Sequence, residues 1–142
     1  MDESYEVDEL PCGPRKEISR EDHELLLQAA RALNADFVEV DGEGYGNLNF
    51  PDGSTVYAWN SLVHSDDAFN LLVRLKFTVE VFDSAVICKG VVGITSPDGL
   101  SQPRNVFAQE VPGDDPAAAT RRAITRAAAE IIRFMKFLNE IS

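Results

Sequence analysis

The segment from about Pro116 to Asn139 limits the fold of this chain more than any other. Pro112-Gly113-Asp114-Asp115-Pro116 leads into it, with an aspartate as cap and a proline in the first helical turn. Thr120, Ile124, Ala127 or Ala128, Ile131, Met135 and Leu138 then recur at threes and fours, the period of a helix. Its first half is built of small residues, which let a helix approach a sheet closely. From Ile131 onward the apolar set widens to Ile131, Ile132, Phe134, Met135, Phe137 and Leu138. One sheet face does not cover so wide an arc. Either the first helix and the N-terminal arm pack there, or a second chain does. Ile131, Phe134, Met135, Phe137 and Leu138 are therefore the candidate surface of a homodimer.

The remaining chain supplies what that helix must cover. Ser19 followed three residues later by Asp22 marks a helix start, and Leu25, Leu26, Ala29, Ala30 and Leu33 fall on one face before Asn34 ends it. Phe37–Val40 reads as a strand, and Asn47–Phe50 and Ser54–Ala58 as a hairpin about the turn Pro51-Asp52-Gly53. Trp59 and Leu62 read as anchors. Ser65 or Asp66 should cap a short helix whose Phe69, Leu72, Val73 and Leu75 face a core. Phe77–Val81, Ala85–Ile94 and Asn105–Val111 continue as strands, with a mobile Ser101-Gln102-Pro103 before the last. Gly90 and Gly93 permit a bulge or close packing. No internal repeat is visible. The expectation is an α+β fold, with an antiparallel sheet of about four to six strands packed by an N-terminal helix, a short middle helix and a long C-terminal helix.

Residues 1–18 read as an acidic, solvated arm and residues 19–142 as a single domain. No apolar run is long enough to span a bilayer and no secretory signal is evident, so a cytoplasmic site is the default. Cys12 and Cys88 lack metal or redox spacing and read as free thiols.

Charge is the strongest compositional fact. The net charge is −11, and it is unevenly spread. Residues 1–116 carry 8 Lys/Arg against 22 Asp/Glu, whereas residues 117–142 carry 5 against 2. No basic residue lies between Arg31 and Arg74, while Asp36, Glu39, Asp41, Glu43, Asp52, Asp66 and Asp67 do. Such a face repels nucleic acid, so direct binding of DNA or RNA is not expected. It favours basic protein partners, including those whose own groove is built for nucleic acid.

No catalytic set emerges. His64-Ser65-Asp66-Asp67 crowds a nucleophile, a base and carboxylates together, but sequence neighbours do not generally form a triad. The same cluster lacks zinc-ligand spacing, and Asp66 and Asp67 suit a helix start. The glycine-rich Asp41–Gly46 turn has no helix behind it to cradle a phosphate and lacks a full calcium loop. No metal or cofactor is expected. Tyr45 and Tyr57 could stack on a planar ligand or meet a partner. Arg121, Arg122 and Arg126 could bind an anion or neutralise the acidic body.

Two stretches resemble a known family. Trp59-Asn60-Ser61-Leu62 through Asp67-Ala68, then Leu71 and Val73-Arg74-Leu75, is similar to a Trp-Asn-Pro-Leu block of small bacteriophage proteins described as phage ABA-sandwich-type domains. Ala119–Ile124 and Arg126–Ile131 are similar to the alanine–arginine helix that ends those proteins. Ser61 stands where proline is common there, and His64-Ser65 where aspartates are common. The arm at 1–18 and the hairpin about Pro51–Gly53 look like additions, and residues 132–142 are longer and more apolar than the family's usual end.

The resemblance implies a helix-covered sheet in a phage accessory protein, of a kind that often interferes with host defence. The leading expectation is a non-enzymatic protein of the host bacterial cytoplasm. It would bind and inhibit an antiviral-defence component, in the manner of an anti-CRISPR, through an acidic, nucleic-acid-mimicking surface. An oligomeric binder of a nucleotide-derived defence signal is the alternative, with Tyr45, Tyr57, Arg121, Arg122 and Arg126 as contacts. A phage structural or assembly protein is the third reading.

Overall fold

The computed structural model describes residues 18–40, 45–95 and 97–141, with the side chains of the last helix described as far as Lys136. Nearly all of the expected arm, together with Asp41, Glu43 and the side chains of Phe137 and Leu138, lies outside the described residues. The elements run α1 (Arg20–Ala32), β1 (Asp36–Glu39), β2 (Gly46–Asn49), β3 (Thr55–Trp59), α2 (Ser65–Arg74), β4 (Thr78–Val81), β5 (Val86–Thr95), β6 (Ser101–Glu110) and α3 (Pro116–Ile141). The fold is α+β. The six strands among the described residues form two three-stranded antiparallel sheets, β1-β2-β3 and β4-β5-β6, rather than one. The division has a local cause. After β3 the chain turns inward at buried Trp59, Asn60 and Ser61 and enters a helix, so no hairpin carries β3 into β4.

The same order, a helix followed by a three-stranded meander, thus occurs twice before α3. Both helix exits are also built alike. At the end of α1, Asn34 N–H donates to Arg31 O (2.8 Å) and Ala35 N–H to Ala30 O (3.0 Å). At the end of α2, Lys76 N–H donates to Val73 O (3.3 Å) and Phe77 N–H to Leu72 O (2.9 Å). Asn34 and Lys76 take the left-handed conformation at φ 63° and 59°. Each exit is a Schellman motif with a buried residue, Ala35 or Phe77, at its end. The sequence conceals this correspondence because neither left-handed position is a glycine.

Each unit also packs an aromatic ring on a strand glycine. A methyl group at Gly46 would lie 2.7 Å from the Phe37 ring and 2.6 Å from Val38 O, and one at Gly90 would lie 2.6 Å from the Phe77 ring. At Gly90 the close-packing reading is therefore the one realised, and β5 runs through it unbroken.

Ser19 Oγ accepts from Asp22 N–H (3.1 Å), as its spacing predicts, and Asp115 Oδ1 caps α3 through Ala118 N–H (3.1 Å). Three expectations need correction. The cap of α2 is His64, without a side-chain cap bond, and Ser65 is already helical. Its buried side is Ala68, Leu71 and the partly buried Leu72 and Leu75, spaced by three and four. Phe69 and Val73 stand off that stripe, and Phe69 is 64% exposed. Segment Ser101–Pro103 is strand rather than mobile loop, since Ser101 pairs with Thr95 and Pro103 with Gly93.

The third helix is the centre of the molecule. It packs against α1, α2 and the second sheet. Ala123, Ile124, Thr125, Ala127, Ala128, Ala129, Ile131 and Ile132 are consequently buried nearly all round it. Ile131 thus belongs to this chain's own core and is removed from any dimer surface. Phe134 packs partly against the same core, and Met135 remains 43% exposed. Among the described residues no helix is long and apolar enough to cross a membrane.

Candidate functional site

The connection from β3 to α2 is the most heavily bonded loop described, and it holds most of the side chains with chemical potential. It begins with an irregularity. Gly46 pairs with Trp59 but Leu48 with Val56, so one extra residue of β3 bulges between them. Ala58 takes φ 54° there, and its N–H donates to Asn47 Oδ1 (3.3 Å). Tyr57, 74% exposed, is left in solvent. Trp59, only 1% exposed, is the core anchor its composition suggests and meets Phe37 edge-on at 6.0 Å. Its Nε1 has no hydrogen-bond partner among the described residues.

Past Trp59 the loop is fixed by reciprocal bonds. Asn60 Oδ1 accepts from Leu62 N–H (2.9 Å) and Val63 N–H (3.2 Å), and Asn60 N–H donates to Asp67 Oδ2 (2.9 Å). Arg121 reaches across from α3, donating Nε–H to Leu62 O (3.0 Å) and Nη1–H to Ser65 Oγ (3.3 Å). Ser61 Oγ lies 2.8 Å from Thr125 Oγ1, both buried.

The result is an open recess of about 380 Å³ lined by Ala58, Val63, His64, Ser65, Asp66 and Asp67. The ring of Tyr45 lies 5.3 Å from that of His64 at its rim. Partial burial pushes the Asp67 carboxyl above its ordinary range, and the Asn60 N–H partly offsets this. A serine, a histidine and two aspartates do converge, but the Ser65 hydroxyl is engaged by Arg121. The recess offers carboxylates and aromatic faces, which suit a cationic side chain. Among the described residues no group of three or more His, Cys, Asp and Glu is arranged to hold a metal ion.

The expected acidic face is divided. Sheet register places Asp36 opposite Asn49 at one end of β1-β2-β3, and Glu39 opposite Gly46 at the other, about 10 Å away by strand rise. Asp52 lies at the first end, where its carboxylate accepts from Ser54 N–H (2.8 Å) and Ser54 Oγ–H (2.6 Å) and is held below the usual carboxylate range. Asp66 and Asp67 lie at the second end, with Glu39 3.9 Å from His23 Nδ1. None of these five is within ion-pair distance of a described lysine or arginine. By contrast Glu21, Asp22, Glu80, Glu110 and Glu130 all are.

The three arginines of α3 do not converge. Arg121 braces the loop, Arg122 pairs with Asp22 (2.8 Å) and Arg126 pairs with Glu110. A larger cavity than this recess lies elsewhere. A groove of about 590 Å³ between the exit of α1, sheet β1-β2-β3 and α3 is lined by Arg31, Asp36, Phe50, Met135 and Lys136 among others. Arg74 stacks on the Phe50 ring at 5.4 Å. Sequence reasoning missed this groove because an arginine in a helix's last turn is explained by the helix dipole alone. Its walls meet only through tertiary packing. Compared with known proteins, the chain matches no family model, and no curated protein or solved structure shows significant similarity to it.

Proposed function

We propose that this is a non-enzymatic phage accessory protein that binds and inhibits a host antiviral-defence component carrying a basic, nucleic-acid-binding surface. The phage assignment rests on the resemblance of the Trp59–Leu75 and Ala119–Ile131 blocks. The observation that carries the mode of action is the charge of Asp36, Glu39, Asp52, Asp66 and Asp67, none of them within ion-pair distance of a described lysine or arginine, with Asp66 and Asp67 lining the recess at the Tyr45–His64 end and Asp36 and Asp52 at the other. Carboxylates left without cationic partners remain free to replace phosphates on a basic partner. Capture from a bacterial host lysate with the full chain tests this. The captured protein should be displaced by high salt and by the combined D36K and D66K substitutions. Capture that is unchanged between low and high salt removes the charge-mimic reading.

A second reading, a small-molecule binder, draws on a different observation. Arg31 and Lys136 line one groove with Phe50, and neither is ion-paired among the described residues. A nucleotide-derived anion would then sit in this groove rather than against Arg121, Arg122 and Arg126. Thermal shift with a nucleotide panel separates the two readings, since a ligand binder is stabilised and the R31E variant is not.

A further inference from the structure

The second sheet ends on β6, which pairs with β5 along all ten residues and carries no described strand on its other side. The direction of its free backbone groups follows from the neighbouring hairpin. Phe82 N–H donates to Ala85 O (2.8 Å), and hydrogen-bonded pairs alternate along an antiparallel ladder, so Ile87 and Lys89 bond toward β4. Val86, Cys88 and Gly90 therefore bond toward β6. Their partners Glu110, Ala108 and Val106 bond inward, and Pro103, Asn105, Phe107 and Gln109 present their backbone groups outward. Two independent features agree. Arg126 Nη1 donates to Gln109 O (3.2 Å) from outside the ladder, and Pro103, which has no N–H, occupies an outward position where none is missed.

We propose that β6 is a self-recognition edge, on which a second copy of this chain adds its own β6 antiparallel with Phe107 opposite Phe107 on a two-fold axis. Outward residues must face outward residues, which leaves few registers. The one centred on Phe107 sets Asn105 against the partner's Gln109 and Arg104 against the partner's Glu110, twice by symmetry. Arg104 is available, its described side-chain bond being to Gln102 at 3.4 Å, whereas Glu110 is already paired with Arg126 of its own chain and would take the partner's Arg104 as a second cation. Slipping the register by two residues either way, the smallest step that keeps outward groups facing outward groups, sets Arg104 against the partner's Ala108 or Pro112 and loses both ion pairs. In the favoured register Phe107, 53% exposed on the outer face, gains an aromatic cross-strand partner. Exposed Val111 meets the partner's Pro103 at each end, so the missing N–H falls outside the central ladder. A continuous six-stranded sheet results, and the edge is no longer open to other chains.

Sedimentation of the full chain at high micromolar concentration tests this, with thermal unfolding to establish that each variant folds. The wild-type chain should sediment as a dimer. R104E and E110R should each sediment as monomers, and mixing the two should restore a dimer because opposite charges then face each other at both ends. F107P, which removes a backbone donor that the ladder with β5 does not use, should also be monomeric. A wild-type monomer overturns the proposal, and so does a dimer that survives both R104E and F107P. None of these substitutions lies within residues 32–73, so the outcome is separate from that of the acidic-surface reading.

Discussion

Ser61 donates its hydroxyl hydrogen to Thr125 Oγ1 across 2.8 Å of buried space, joining the β3–α2 loop to the middle of α3. The direction is fixed because Thr125 spends its own hydrogen on Arg121 O (2.8 Å). T125V should therefore leave the Ser61 donor unsatisfied and destabilise by about 2 kcal/mol, whereas S61A should lose about 1 kcal/mol. The double variant should be less destabilised than the sum of the two. Chemical denaturation of the four proteins measures the coupling.

The two ring-on-glycine contacts should tolerate no added carbon. G46A and G90A should each destabilise by about 1–3 kcal/mol, because the Phe37 and Phe77 rings cannot withdraw from packed surroundings without strain. Replacing Phe77 by leucine in the G90A background should recover part of that loss in the same unfolding assay.

The left-handed residues at the two helix exits should respond differently to glycine. Lys76 at φ 59° carries a long side chain in a conformation that glycine adopts freely, so K76G should raise stability by up to about 1 kcal/mol. Asn34 already tolerates that conformation, and N34G should change the melting temperature little.

Burial pushes the Cys88 thiol from its ordinary 9.0 up to about 12. The folded chain thus holds the proton where the unfolded chain releases it, so this group's contribution to stability falls as pH rises above 9.0. At pH 8, iodoacetamide should leave the Cys88 peptide unmodified in the native protein and label it after denaturant is added, as read by mass spectrometry.

Asp67 follows the same sign in a different range. Its folded carboxyl lies above the ordinary 3.8, so the folded state binds that proton more tightly than the unfolded chain does. Its contribution is greatest below that value and is lost as pH rises through the folded value. D67N keeps an acceptor for Asn60 N–H while removing the charge. Its melting temperature should accordingly vary less between pH 4 and 6 than that of the wild type.

What could be read from the sequence was what neighbours in the chain determine. Ser19 and Asp115 cap helices through groups three residues away, and Pro51-Asp52-Gly53 turns a hairpin through bonds within it. The middle helix was misread because Ala68 weighs little in an apolar pattern while Phe69 weighs much, yet burial follows the Ala68–Leu71 stripe. Pro103 argued against a strand, and pairing with Gly93 across the sheet overrode it. Of the candidate site, Asp66, Asp67, Tyr45 and Arg121 were named, but not that they meet about one loop. Tyr45 and His64, or Arg31 and Lys136, are brought together by packing that no local period encodes.

The central position of α3 has a consequence during synthesis. The inner face of the second sheet, with Val86, Cys88 and Val106, is complete before the helix that covers it exists. At roughly 5–20 residues per second, a nascent chain shows that face to solvent for seconds before the alanine-rich segment clears the ribosome. Small residues shorten the delay once it does, because a helix of alanines can seat against a sheet without first sorting many rotamers. The segment that completes the core also closes the interval in which chaperones and proteases can compete for it.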